Sequence, residues 1–352
     1  MQNSTFKLLS SSQHILKGLI FSFSDLAVIR KNIHWRMGEC YYQLHQFKKA
    51  YESFKEAFNE AKQVHQEKPH RDISNLLENI GQTLQELGDL HKATEIHHQS
   101  LRMKMELFSE KKITASHMAG QLNNLGICQC RLGEHQKAID IYTKGVNLIQ
   151  SLDTKREKVK LTFLLNNKAS CLFDLKKYDL ALSTYNEALD LEYQIHGKEA
   201  NNESIAVTLN NIAIVYSSQG DHQKSLELNM KNLKMRQAFY GPAKNAHIAS
   251  SQHNIGEEYR YLGQNDRALD HLEEALVLRQ EFLGKNHMET ANTLLELSNT
   301  HLALNDIKSA KNTIAEAHAI ASKAEGYPEV KQGIEKAFKA LHHQGDIRSR
   351  SL

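Results

Sequence analysis

The chain has 352 residues, with 44 Lys+Arg against 41 Asp+Glu and a formal net charge of +3. That near-balance excludes a domain built to neutralise many phosphates, which carries a clear basic excess. With 40% hydrophobic and 24% charged residues it is not a disordered composition, and only three prolines and 17 glycines argue against an all-β chain with its frequent turns.

In chain order, residues 1–23 read as an N-terminal segment that is either a capping helix or disordered. The most apolar stretch, Ile15 to Ile29, is broken by Lys17, Ser22, Ser24 and Asp25. It is too short and too polar to span a bilayer, and no small-residue cleavage site follows. Residues 24–326 carry seven repeats. Small anchors recur at Gly38, Gly81, Gly126, Ala169, Ala213, Gly256 and Ser298, in steps of 42 to 45 residues. Twelve residues after each comes a second small residue: Ala50, Ala93, Ala138, Ala181, Ser225, Ala268 and Ala310. Seven residues after each comes a turn position: His45, Gly88, Gly133, Lys176, Gly220, Gly263 and Asn305. Residues 327–344 read as a C-terminal capping helix, with Val330, Ile334, Phe338 and Leu341 at helical spacing. Residues 345–352 read as a flexible tail.

Two helices approach closely only where side chains are small, so each repeat predicts an antiparallel helical hairpin with one small contact per helix. The turn position suits a left-handed residue that ends the first helix. Such a hairpin cannot bury its apolar face alone and must stack on its neighbours. The expected fold is all-α, a right-handed superhelical solenoid of about seven hairpins with a C-terminal cap.

These anchors resemble the tetratricopeptide repeat over about residues 30–320. Phe54, Tyr142 and Tyr185 fill the aromatic position of the second helix, and Ala57, Ala188, Ala275 and Ala317 its last small position. The repeat exceeds the common length of about 34 residues by about nine, roughly 2.5 helical turns. The run from Ala275 through Arg279 and Leu283-Gly284 to His287 resembles the kinesin-light-chain type, and Asn232 to Arg236 followed by Tyr240-Gly241-Pro242 repeats it loosely. No heptad-rich segment precedes the repeats, so no motor-associated role is expected.

Little chemistry accompanies this pattern. Neither a P-loop nor GxGxxG occurs, and no HExxH is found among the 20 histidines. The histidines read as surface residues, and a metal would need ligands converging from different repeats. Cys128 and Cys130, two apart on a helix, point to nearly opposite faces. Cys40, Cys128 and Cys171 each follow an anchor by two residues, a position that takes a compact apolar side chain. No catalytic site, metal or cofactor is expected.

One column asks for more. Two residues before the anchor stand Asn79, Asn124, Asn167, Asn211 and Asn254, preceded in three repeats by Asn123, Asn166 and Asn210. Asparagine is a modest helix former, so five in succession at mid-helix need a reason. They either bond adjacent repeats together or face the groove. The family resemblance implies that this first-helix position lines the inner surface, where in light-chain-like repeats asparagines grip the main chain of an extended peptide. An amide offers donors and an acceptor together and suits that task. Arg131 and Tyr261, five residues after their anchors, are candidate specificity residues. A carboxylate clamp for chaperone tails would need a lysine beside the asparagine. Trp35, Glu78, Asn123, Asn166, Asn210 and His253 stand there instead.

The expected protein is therefore a non-catalytic scaffold or adaptor of the cytoplasm. It would bind a protein or peptide partner and neither nucleic acid nor membrane, with self-association through the opposite face as a further option. The alternatives are a ligand-responsive regulator like the peptide-sensing repeat receptors, or a support subunit of an enzyme complex.

Overall fold

The computed structural model describes residues 23–241, 245–324 and 326–348, and every regular element among them is an α-helix. In order these are α1 (Phe23–Gln43), α2 (Phe47–Val64), α3 (Arg71–Glu86), α4 (Leu90–Ser109), α5 (Ala115–Arg131), α6 (His135–Ile149) and α7 (Lys155–Asp174). There follow α8 (Tyr178–His196), α9 (Glu203–Ser218), α10 (His222–Tyr240), α11 (Ala246–Tyr261), α12 (Asn265–Phe282), α13 (Met288–Ala303), α14 (Ile307–Ala321) and α15 (Pro328–Arg348). The chain divides into two compact units, residues 1–175 and 176–352. The first unit holds the hairpins α1/α2, α3/α4 and α5/α6, then α7. The second holds α8, the hairpins α9/α10, α11/α12 and α13/α14, and α15.

The three repeated positions explain the hairpin. At the turn column all seven residues have positive φ, from 74° to 82° at its four glycines and 55°, 57° and 61° at His45, Lys176 and Asn305. Four repeats place glycine where it is unstrained, and three accept the cost of a side chain there. One residue on, Asp89, Asp221 and Asp306 accept the backbone N–H of Lys92, Lys224 and Ser309 and so cap the second helices. The anchor glycines leave room for a large side chain sixteen residues later. A Cβ on Gly38, Gly126 or Gly256 would press into Phe54, Tyr142 or Leu272 respectively. Gly81 is matched the same way by His97, which is fully buried.

In the first unit Ala50, Phe54, Ala57, Ile73, Leu76, Leu77, Ile80 and Ala93 form one buried cluster. In the second, α15 lays Ile334 and Leu341 on Leu294, Leu295, Ile314 and Ala317, with Val330 and Phe338 packed beside them. Phe338 stacks on His318 at 4.1 Å between ring centroids, and His318 Nε2 lies 2.7 Å from Glu335. The helix runs to Arg348, four residues past its expected end at 344. The segment 344–348 holds no proline, and a single glycine such as Gly345 weakens a helix without ending it, so nothing there forces a stop. The N-terminal segment 1–22, Pro242 and the final residues 349–352 lie outside the described residues.

Candidate peptide-binding face

Residues two before, one after and five after each anchor lie three or four apart and share one face of the first helices. On α3, α5 and α7 of the first unit this face carries Asn79, Asn124 and Asn167. On α9 and α11 of the second it carries Asn211 and Asn254.

The structure shows what three of these amides do. Asn124 Nδ2 donates to Glu78 Oε1 at 3.0 Å, Asn167 Nδ2 to Asn123 Oδ1 at 2.9 Å, and Asn254 Nδ2 to Asn210 Oδ1 at 2.9 Å. In each case the asparagine reaches back to the residue before the asparagine position of the previous repeat. These are bonds between repeats. Asn124 is buried, while Asn79, Asn123, Asn167, Asn210, Asn211 and Asn254 are half-buried. Asn166 turns along its own helix and donates to the Thr162 carbonyl at 3.1 Å. Asn79 offers its carbonyl to Thr83 Oγ1 at 2.7 Å.

Arg131 is exposed as the last residue of α5. Tyr261, half exposed, stacks on His222 at 4.5 Å, and the Arg260 guanidinium sits 4.3 Å from its ring centroid. Exposed apolar side chains accompany the amides: Phe163 on α7 in the first unit, Val207 and Ile214 on α9 in the second. On α11, the Glu257 carboxyl is pushed up to about 7 by burial and by the carboxylates of Glu296 and Glu258.

Sequence reasoning did not reach the partners of the side chains that join one repeat to the next. Twenty-three residues after the anchor stand Lys104, Arg236 and Arg279, all buried. Lys104 pairs with Glu78, and its Nζ lies 3.4 Å from Gln121 Oε1. Arg236 donates to the His247 carbonyl, to Ser251 Oγ and to Glu203 at 2.9 to 3.1 Å. Arg279 donates to the Glu289 carbonyl at 2.7 Å and to Thr293 Oγ1 at 2.6 Å, and pairs with the Glu289 carboxylate at 2.8 Å. The arginine of the light-chain-like signature is thus a clamp onto the next repeat. The reading of the histidines as surface residues also fails at His97 and His253, both buried. His97 takes the place that Phe54 and Tyr142 hold elsewhere, and Gln121 Nε2 meets its Nδ1 at 2.9 Å. In the cysteine column Cys128 and Cys171 are buried, but Cys40 is exposed on α1, with no described helix packed beyond it.

Stacked helical hairpins with a lined first-helix face define a repeat-type interaction scaffold. The family model of the tetratricopeptide repeat matches residues 31–106, 161–238, 204–276 and 247–323, and the chain belongs to that family. Its members are generally non-catalytic and bind protein or peptide partners. No curated protein is matched by sequence. Among solved structures the chain is similar to BtubC (BKLC) from P. vanneervenii at 21% identity and a TM-score of 0.57, over 68% of this chain and 93% of that one. The kinesin-light-chain TPR-like repeats from Podospora anserina share 18% identity at a TM-score of 0.50, over 60% and 98%. The apo quorum sensor NprR from B. thuringiensis shares 14% at a TM-score of 0.65, over 91% and 94%. Among the described residues no helix is long and apolar enough to cross a membrane.

Proposed function

We propose that the protein is a non-catalytic adaptor that holds an extended peptide against the first-helix face, with the peptide main chain bonded to the asparagine amides. The observation that carries this is the pair of half-buried amide–amide bonds, Asn167 to Asn123 and Asn254 to Asn210. Each pair uses one N–H and one carbonyl lone pair. An asparagine has two donors and two lone pairs, so each pair keeps hydrogen-bonding capacity on a face that water reaches. The inter-repeat bond then fixes the amide plane in advance, which lowers the entropy cost of gripping a ligand. Packed helices lie about 8–10 Å apart and an extended chain rises about 3.3 Å per residue. One rung therefore meets roughly every third peptide residue.

Phe163, Val207 and Ile214 favour small apolar side chains in that peptide, and Arg131, Arg260, Tyr261 and Glu257 supply charged and aromatic contacts. The four free cysteines suit a reducing compartment, the cytoplasm. The likeness to the NprR quorum sensor along nearly its whole length favours a second reading, a regulator whose conformation answers the same peptide.

The test is a paired substitution. A peptide selected from a displayed random library is titrated calorimetrically against the wild type and against Asn123→Ala plus Asn167→Ala. Removing both partners of an inter-repeat bond leaves no buried group unsatisfied, so folding should change by less than about 1 kcal/mol. Two lost peptide contacts of about 0.5–1.5 kcal/mol each should weaken binding roughly 5- to 150-fold. Unchanged affinity in the folded double variant would show that the amides only join repeats.

A further inference from the structure

The joint between consecutive first helices has a fixed register. The residue four after one anchor meets the residue two after the next, as where Gln85 Nε2 lies 2.8 Å from Cys128 Sγ. One repeat later the same register brings Cys130 of α5 to Cys171 of α7, with the sulfurs 2.6 Å apart. The turn into α6 adds His135, whose Nδ1 is 3.6 Å from Cys130 Sγ. One helical turn beyond Cys171, Asp174 Oδ2 lies 3.3 Å from His135 Nδ1 and 3.9 Å from Cys130 Sγ. The sulfurs of Cys130 and Cys171 and the His135 ring nitrogen all fall within 4.8 Å of one another. All four residues belong to the first unit.

We propose that Cys130, His135, Cys171 and Asp174 form a four-ligand site for a divalent d-block cation, zinc in a reducing compartment, which pins α7 to the α5/α6 hairpin. Zinc takes four ligands in a tetrahedron, sulfur at about 2.3 Å and nitrogen or oxygen at about 2.0–2.2 Å. Tetrahedral geometry then separates a nitrogen–oxygen pair by about 3.4 Å and a sulfur–nitrogen or sulfur–oxygen pair by about 3.6 Å. The observed 3.3, 3.6 and 3.9 Å follow those separations, while the Asp174 carboxylate stands outside the 4.8 Å group of the other three and must swing toward Cys171 to complete the set. Two zinc-bound sulfurs lie about 3.8 Å apart, so the thiols must part by about an ångström, within reach of a small χ1 rotation. Cys171 is buried, Cys130 and His135 are half-buried and Asp174 is exposed, which leaves a solvent path at the carboxylate side. Two thiolates with one imidazole and one carboxylate select a borderline-soft ion over calcium or magnesium. Binding displaces the two thiol protons to solvent.

Two neighbouring arrangements sharpen the assignment. In the second unit the corresponding corner is Ser217, His222, Glu258 and Tyr261. There His222 Nδ1 bonds Glu258 Oε2 at 2.8 Å, and the donor set holds no sulfur. The cluster of His65, His70 and Asp72 already has its carboxylate paired with Lys31 Nζ, so a cation there would meet a resident ammonium.

The experiment uses the full chain, purified under reductant and freed of metal, titrated with zinc chloride and separately with cobalt chloride. One equivalent of zinc should bind, with a rise in melting temperature. Cobalt should give a thiolate charge-transfer band and the visible bands of a tetrahedral ion. Cys130→Ser and Cys171→Ser should abolish the charge-transfer band or halve it, and Cys40→Ser should leave it intact. Asp174→Ala, at the exposed rim and so harmless to folding, should lower affinity by at least the roughly 10–100-fold that loss of an outer-shell partner costs. Reduced, folded wild type that binds no zinc would overturn the proposal. So would metal binding indifferent to Asp174→Ala and to both cysteine variants, or a Cys130–Cys171 disulfide whose reduction yields no metal binding.

Discussion

His97 is a histidine where three other repeats place Phe54, Tyr142 and Tyr185, and burial holds it down to about 4 from its ordinary 6.5. A neutral imidazole in the folded state and a titrating one in the unfolded state make stability fall as pH drops from 6.5 toward 4. At about 1.4 kcal/mol per pH unit, the shift contributes about 3 kcal/mol above pH 6.5 that is lost across that window. Replacing His97 with Phe keeps the ring, and Gln121 Nε2 retains its bond to the residue 97 carbonyl at 3.1 Å. Urea denaturation from pH 7 to 4.5 should show the wild type losing stability relative to His97→Phe by about 2–3 kcal/mol. Parallel curves would contradict a buried neutral imidazole. The aromatic slot is legible in the sequence through Phe54 and Tyr142, yet His97 does not announce itself as its occupant. A histidine in a sequence carries no mark of burial, and only the glycine anchor opposite it, Gly81, hints at the fit.

At the scale of a helix, the clamp residues of α4, α10 and α12 tie each hairpin to the next. Lys104 and Arg236 pair with carboxylates of their own hairpins and reach neutral acceptors of the next, and Arg279 pairs with Glu289 of the next, whereas Glu192 of α8 holds the same position as a carboxyl bonded to Thr208 at 3.2 Å. Burial pushes the Glu192 carboxyl up to about 7, so an acid stands in that column close to neutral. Arg279→Ala should lower stability by about 1.5–3 kcal/mol, the range of hydrogen bonds to a charged group. Its partner Glu289 is partly exposed, so the larger penalty of a stranded buried charge should not appear. Thermal or urea unfolding measures this, and a change within about 0.5 kcal/mol, the range of plain surface substitutions, would contradict the clamp. Arg236 and Arg279 are visible in the sequence as a signature, but their partners are not. Those partners, Glu203 with Ser251 and Glu289 with Thr293, lie on other helices, and only the packed register shows which face each meets. The same holds for Cys130 and Cys171. Their spacing of 41 residues means nothing until the rule joining one anchor's fourth residue to the next anchor's second is known.

At the scale of the whole molecule, a repeat period of 42 to 45 residues makes the hairpin architecture legible from small residues and turn formers alone. Such arrays are stabilised by nearest-neighbour interfaces, and both units bear this out internally through their own cores and inter-repeat bonds. The asparagine column is legible as a column, and the bonds it makes are not, since a sequence shows that a residue recurs without showing which partner it reaches. The central claim is that this face also holds a peptide. The direct measurement is photo-crosslinking of a library-selected peptide carrying a benzophenone at successive positions, followed by mass spectrometric mapping. The account predicts crosslinks on α5 and α7 in the first unit and on α9 and α11 in the second, near Asn124, Asn167, Ile214 and Asn254. Crosslinks confined to α6, α10 and α12 would place the ligand on the other helix of each hairpin and contradict it.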